Sequence, residues 1–598
     1  LSTAVASFAL TLTGVEDDHA LAARGMAWLT QHQNRDGGWG DTPISGSNLS
    51  TTVLCWCALS RAASLGVPCV ETVARAEAWI RVHAGGIEPH AVSKALLDHY
   101  GKDRTFSAPI LTMCALAGRL GPGASAWACI PHLPFELAIL PARFFSAVRL
   151  PVVSYALPAL IAIGQARHHH LPSRCPFTRA ARTLARNRTI RILERIQPSN
   201  GGFLEATPLT GFVTMSLASI GLRGHAVTQR AAAFLRRSMR DDGGWPIDTN
   251  LATWVTTLAV GALSEVKVEV AEAAPWRVHA DEDRHCTRRT ETLSLPPSSS
   301  LQEEPSASDE LSQPQRAAIS SWLLDQQHTR VHPYTNAAPG GWAWTDLPGG
   351  VPDADDTSSA LLALRQLAAH DARALNAAQA GVRWLLGLQN SDGGIPTFCR
   401  GWGALPFDHS CPDITAHALR AWAAWRNDLP AALQRAVDKA SRSALAYLAR
   451  TQQQDGSWLP LWFGNEHAPR HGNPVYGTAQ VVLALEEPDA CASSPMLAAG
   501  RAFLLRVQNT DGGWGGAAGC SSSIEETSLA LCALASSGEC GESLHKGAQW
   551  LVQHCTTAAP LPAAPVGLYF ASLWYYEELY PLIFATRALR RLAGPPST

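Results

Sequence analysis

A helix–turn–tryptophan unit recurs along the 598 residues and restricts what the chain can fold into. "GMAWLTQHQNRDGGWG" (25–40) returns as "AAAFLRRSMRDDGGW" (231–245), "GVRWLLGLQNSDGGI" (381–395), "ALAYLARTQQQDGSW" (444–458) and "GRAFLLRVQNTDGGWG" (500–515). Looser copies stand at 192–203 and 321–344. Each copy joins an amphipathic helix with an aromatic-Leu pair to a Gln, a polar-Gly turn and, usually, a Trp. A further apolar helix follows, as in "ETSLALCALASSG" (526–538). Gly-Gly ends the helix by adopting backbone angles that other residues resist. The Gln can bond free backbone groups of the next turn, and the Trp packs flat against it. Helix pairs of this kind bury their faces only by stacking, so they close into a ring or extend as a solenoid. Irregular spacing with long inserts favours closed helical barrels, and makes the Gln and Trp residues staples rather than catalytic groups.

Composition agrees with a large apolar interior. Hydrophobic residues make up 46% and charged residues 16%, against a usual charged share of about 25%. The formal charge of −2 gives no footprint for nucleic acid. The most basic run, "RTLARNRTIRILERI" (182–196), reads as a solvated helix face. The 14 cysteines form no C-x-x-C pair, so reduced, mostly buried thiols in a cytosolic setting are expected rather than a disulfide framework or a zinc site. The longest apolar stretch, "LPVVSYALPALIAIG" (150–164), holds two prolines and is too short to span a bilayer. From about Glu265 to Gln315 the chain is rich in Ser, Pro and Glu and poor in apolar residues, which predicts a disordered insert.

The chemistry concentrates in "PDADDTSSAL" (352–361), where Asp353, Asp355 and Asp356 crowd the start of an apolar helix. A helix cap explains one aspartate. A Mg²⁺ site is a second option, but diphosphate-binding acids usually come as spaced pairs with basic residues nearby, and the nearest preceding one here is Arg330. A Brønsted acid is the third: carboxyls packed in a water-poor pocket cannot all ionise, so at least one keeps its proton. In "PDITAHAL" (412–419) Asp413 and His417 stand four apart on one helical face, where Asp413 could hold the imidazole charged and the imidazolium could sharpen an acid.

Stapled Gln-Gly-Trp repeats together with Asp-x-Asp-Asp-Thr closely resemble the squalene–hopene cyclases, the class II triterpene cyclases, from about residue 25 to 585. "GSNLSTTV" (46–53), "GGIEPHAVSKALL" (85–97), "ATWVTTLAVGAL" (252–263), "VYGTAQVVLAL" (475–485) and "GLYFASLWYYEELYP" (567–581) extend the match. The resemblance implies an all-α fold of two α/α barrels around a central hydrophobic cavity, no metal or organic cofactor, and attachment to one membrane leaflet. It divides the chain into a first barrel (1–253), a junction helix (254–264), the insert (265–315) and a second barrel carrying the acid motif (316–598). Carried over by position, Asp355 would donate the proton with Asp353 and Asp356 as companions, His417 would sharpen it, Asp413 would orient the histidine and Tyr476 would hold a water network. Trp254, Trp344, Phe398 and Tyr569 would face the cavity; Trp342, Trp458, Trp462 and Phe570 are further candidates for which core packing is put slightly ahead.

The pattern departs from the family at Leu54, where a glutamate is expected, at Thr207, where hopene-forming members have glutamine, and at Ala156, where a tryptophan is expected. All three belong to the end of the cavity where the last cation is quenched, so initiation looks intact and termination altered. Cys399, in an extended loop (396–411), either lines the pocket or packs. The implied activity is protonation and cyclisation of squalene to a hopene-like triterpene. The alternatives are another linear isoprenoid (hydroxylated, oxidised or shorter), and a non-catalytic α/α barrel that binds protein. A protein prenyltransferase β-subunit would need Asp, Cys and His zinc ligands, and no Cys is recognised beside "DITAH". A greasy substrate implies monotopic membrane association on the cytoplasmic face, with 137–151 as the candidate segment. A homodimer is left open.

Overall fold

The computed structural model describes residues 1–101, 105–140, 156–264, 311–333, 335–398, 408–486, 495–535, 541–557, 560–564, 566–568 and 573–593. Among them the repeats close into two rings. The first comprises α1 (Ser2–Leu10), α2 (Leu49–Ala58), α3 (Ser107–Leu116), α4 (Leu157–His170) and α5 (Thr207–Leu217), each packed on the next and α5 back on α1. The second comprises α6 (Ala252–Ser264), α7 (Ala354–Ala368), α8 (Pro412–Trp425), α9 (Pro474–Leu485), α10 (Ile524–Leu534) and α11 (Tyr580–Ala593), closed by contact of α11 with α6.

Patterning decides which helices are inner. All nine residues of α1 and all eleven of α10 are buried, because an inner helix meets protein on every side. An outer helix such as Ala431–Thr451 buries only a stripe of Leu433, Val437, Ala440, Ala444, Tyr447 and Leu448. The staples are specific. Gln33, Gln197, Gln327, Gln389, Gln452 and Gln508 each donate from Nε2 to the carbonyl of a turn glycine and to a second carbonyl on the following outer helix, at 2.7–3.1 Å. The Trp39, Trp245, Trp342, Trp458 and Trp514 indole N–H groups donate to carbonyls at the end of the preceding helix, at 2.7–2.9 Å. Gly512 shows why the turn needs glycine: its φ is +95°, and an added Cβ would lie 2.9 Å from the Lys546 carbonyl oxygen.

Three sequence expectations change. The helix read as a junction begins at Ala252 and is a stave of the second ring, packed on α7 and α11. Residues 265–310 of the expected insert lie outside the described residues, but its last residues are ordered. Ser312 and Gln315 form a capping box on the helix Gln313–Asp325, a signal hidden by the polar composition around it. Within the arginine-rich run, Arg182 is buried and pairs with Glu136 at 3.0 Å instead of facing solvent. The all-α fold also carries one small antiparallel sheet, β1 (Phe463–Asn465), β2 (Val566–Leu568) and β3 (Leu573–Tyr575), in that order. The Trp574 N–H donates to Asp41 at 3.0 Å and so ties this sheet to the first ring. Among the described residues no helix is long and apolar enough to cross a membrane, and the described cysteines are all free thiols.

Candidate active site

Between the rings lies a cavity of about 330 Å³ whose wall draws on both: Leu54 from α2, Phe212 from α5, Trp254 from α6 and Ile414 from α8. Its acid pole is the N-terminus of α7. Asp353 is the N-cap, its Oδ1 accepting the Asp355 and Asp356 N–H groups at 2.9 Å each. The Asp353 N–H in turn donates to the Trp342 carbonyl at 3.0 Å, so the staple turn fixes where the acid helix begins.

The three carboxyls have different surroundings although all three line the cavity. Burial pushes Asp353 up to about 7. Burial, reinforced by the neighbouring Asp353 carboxylate, pushes Asp356 well above the usual carboxyl range, and Asp356 Oδ1 is sealed from solvent without a hydrogen-bond partner. Asp356 therefore holds its proton at neutrality, and Asp353 gains and loses one there. Asp355 is the carboxyl with an outside partner: its Oδ1 lies 2.5 Å from His417 Nδ1 on α8. The barrel brings together residues 62 apart in sequence.

Asp413 does not orient that histidine. Its Oδ1 accepts instead from the Cys411 thiol at 2.5 Å, while the Leu461 N–H donates to the same sulfur at 3.1 Å. Burial raises Asp413 to about 7, with Asp355 adding to the effect. Cys411 thus stands two residues before "DITAH", where no Cys was recognised in the sequence. Even so, no group of three potential metal ligands converges among the described residues. Tyr476 is buried beside the acid pole; burial, then Asp355 and Asp413, hold its phenol protonated, and its ring stacks on Phe463 at 4.6 Å.

Of the aromatic candidates, Trp254, Trp344, Phe398 and Trp462 line the cavity. Trp254 stands 6.5 Å from the His417 ring, edge to face, and its indole N–H is held by the Tyr580 hydroxyl at 2.6 Å. Phe398 meets Trp344 at 6.3 Å and Trp462 at 5.3 Å, both edge to face. Trp342 and Trp458 are fully buried staples and do not reach the cavity. Tyr569, Phe570 and Cys399 lie outside the described residues. From the first ring Leu54 and Ala156 line the wall, whereas Thr207 is buried behind it between the wall residues Ala206 and Pro208. The sequence reading missed Phe463, Tyr575, Asp41 and Asp248 on the wall. Phe463 and Tyr575 are brought there by the small sheet, for which no strand pattern was recognised.

Two helical rings around an apolar cavity, with buried acids at one pole, define a fold class found in terpene cyclases. The ent-copalyl diphosphate synthase of Streptomyces platensis shares it with a TM-score of 0.50 over 99% of this chain and 95% of that one, at 17% identity, a likeness of fold alone. The squalene-hopene cyclase N-terminal domain model matches residues 3–156, and the C-terminal domain model residues 299–559. The chain belongs to the squalene-hopene cyclase family. It is 27% identical to the terpene cyclase-glycosyl transferase fusion protein fsoA of Humicola fuscoatra, over 92% of this chain and 43% of that protein, so it spans less than half of that relative. It is 25% identical to the squalene hopane cyclase afumA of Aspergillus fumigatus, over 82% of this chain and 70% of that protein.

Proposed function

We propose that this chain is a class II terpene cyclase that protonates squalene, or a close relative, and closes it to a hopene-like polycyclic triterpene. The observation that carries the reading is the Asp355–His417 contact at the wall of an apolar cavity. Asp355 gives its proton to a terminal alkene carbon, the π electrons form the new C–H bond, and the other alkene carbon becomes cationic. The carboxylate left on Asp355 is stabilised by the imidazole at 2.5 Å, while Asp356 keeps its proton and Asp353, raised to about 7, is partly protonated, which lessens the repulsion. Each later ring closes as the next alkene attacks the cation, in a substrate already folded against its reacting partners. Trp254, Trp344, Phe398, Trp462 and Phe463 offer ring faces that attract a cation without bonding to it, each worth about 2 kcal/mol when desolvated. The proton comes from a side chain, so the step as written uses no cofactor.

An uncharged substrate is favoured by a second observation. The described wall holds five aspartates and no Lys, Arg or His, so it offers no counter-charge to a diphosphate. Squalene would be drawn from a bilayer, with 137–151 as the membrane contact; its residues 141–151 lie outside the described residues, and in the described part Leu137 and Leu140 are 43% and 38% exposed. Incubating purified protein with squalene in mild detergent, beside Asp355→Asn, tests the function. Cyclic C30 products from wild type alone are expected; equal product from both would overturn the mechanism. Co-sedimentation with lipid vesicles tests the membrane contact, and protein left wholly in the supernatant would refute it.

A further inference from the structure

A carboxyl that the initiating step does not use faces the same cavity. Asp248 sits in the turn after the Trp245 staple, and its backbone bridges to Ala206. The Thr207 N–H donates to the Ile247 carbonyl at 2.9 Å and the Thr249 N–H to the Glu205 carbonyl at 3.2 Å, so the two turns clamp each other. Asp248 lines the reaction cavity and also a second, more polar cavity bounded by Trp28, Arg240, Glu577 and Glu578. Its neighbours are satisfied. Asp41, on the same wall, accepts from Asn48, Thr51 and the Trp574 N–H. Glu205, just behind, accepts from Asn200, Thr249 and the Gly349 N–H. Asp248 has no such partner among the described residues: it is half-buried between the two cavities, and burial, then the Glu205 charge, raise it to about 7. A carboxyl at that level gains and loses a proton readily near neutrality.

Asp248 stands on a different turn of the chain from the initiating acid. Tyr575 lies within electrostatic reach of Asp248 and of Asp355 and Asp356, and burial keeps its phenol protonated. Asp248 is joined instead to the Ala206–Thr207 turn, the segment whose sequence departs from the family at the quenching end.

We propose that Asp248 is the base that ends the cascade, a role that rests on the cyclase reading above. The C–H bond next to the last cationic carbon breaks, its electron pair becomes the product's new C=C bond, and the proton passes to an Asp248 carboxylate oxygen. The second cavity then returns that proton to water. One proton enters at Asp355 and one leaves at Asp248, so the reaction is an isomerisation. Before the proton is taken, the carboxylate also attracts the approaching cation and holds it at this end.

The test compares wild type, Asp248→Asn and Asp355→Asn by product analysis after incubation with squalene. Asp248→Asn should consume substrate within about fivefold of wild type, while the wild-type main product falls at least tenfold relative to other alkenes and alcohols. Asp355→Asn should consume none. A product ratio within twofold of wild type in Asp248→Asn overturns the proposal. Because an unpaired buried acid disfavours folding, Asp248→Asn should melt no lower than wild type; Asp248→Glu, which keeps a base, should restore the product ratio. If wild type leaves squalene untouched, the substrate reading fails separately. Calorimetric titration with N,N-dimethyldodecylammonium, a saturated mimic of a late cation, then decides the role of Asp248. An affinity at least tenfold weaker in Asp248→Asn sustains it, and equal affinity overturns it.

Discussion

Replacing His417 by phenylalanine keeps the ring volume on α8 and removes the partner of Asp355. The contact is short, 2.5 Å between Nδ1 and Oδ1, and both side chains are mostly buried, at 14% and 16% exposure. In the proposed step Asp355 begins as the acid that gives up the proton. In the transition state the same oxygen pair is becoming a carboxylate, so the bond strengthens as the proton leaves, and only that difference accelerates the reaction. Hydrogen bonds to charged groups are worth about 1.5–3 kcal/mol, which converts to a kcat loss of about 10- to 150-fold. KM should hardly move, because His417 is not among the described wall residues that meet the hydrocarbon. The assay is steady-state product formation with detergent-dispersed substrate, with a thermal melt of each variant as the folding control. A His417→Phe enzyme that folds like wild type and keeps kcat within threefold would refute the assignment of Asp355 as the sharpened acid.

Asp413 reports through stability. Its folded-state value is raised, so its protonated form favours folding at acid pH, and that contribution is lost as pH rises from about 4 through about 7. Asp413→Asn keeps an acceptor for the Cys411 thiol and should gain on wild type with rising pH, by at most roughly 4 kcal/mol at pH 8; parallel melting curves from pH 5 to 8 would contradict this. Gly512→Ala should cost several-fold more stability than Gly519→Ala. Both have positive φ, but an added Cβ meets the Lys546 carbonyl at 2.9 Å in the first and nothing within 4 Å in the second. Denaturant melts that fall equally for the two would show that the staple turn is not the tight element. Trp342→Phe should lower the melting temperature with little change in product, since it loses the bond to Leu323 and leaves a small void, both away from the described cavity wall. Trp344→Ala should change product ratios or rate with a smaller loss of stability, and the reverse pattern in calorimetry and product analysis would overturn the division between staple and wall.

What was legible in the sequence was whatever is fixed within one repeat. Gln508, Gly512 and Trp514 act within a few residues of one another, so their spacing alone announces the turn and hence the rings. Asp353 was legible for the same reason, because an N-cap is a local device. Partners brought together by ring closure were not. Four-residue spacing suggested that Asp413 would hold His417, yet the side chain turns to Cys411 at the helix start, and His417 reaches the acid on the neighbouring stave. The insert boundary was misplaced because a capping box of four residues is invisible to average composition.

The division between Trp342 and Trp344 points to a rule that the repeats imply and single residues do not. Each staple turn links an outer helix to the next inner helix. Residues just beyond six of the staples supply the wall. Asp41 follows Trp39, Leu204 and Ala206 follow Phe203, and Ile247 and Asp248 follow Trp245. In the second ring Trp344 follows Trp342, Thr397 and Phe398 follow Ile395, and Trp462 and Phe463 follow Trp458. Staple positions must fill a dry helix–helix gap, and where the residue is Trp its indole also donates one hydrogen bond there. The positions behind them face an open space and are released from that demand, so they can carry the chemistry. In the first ring they carry Asp41, Asp248 and aliphatic residues, and in the second they carry Thr397 and aromatic faces. That asymmetry puts the aromatic faces in the ring that holds Asp355 and leaves Asp41 and Asp248 in the other.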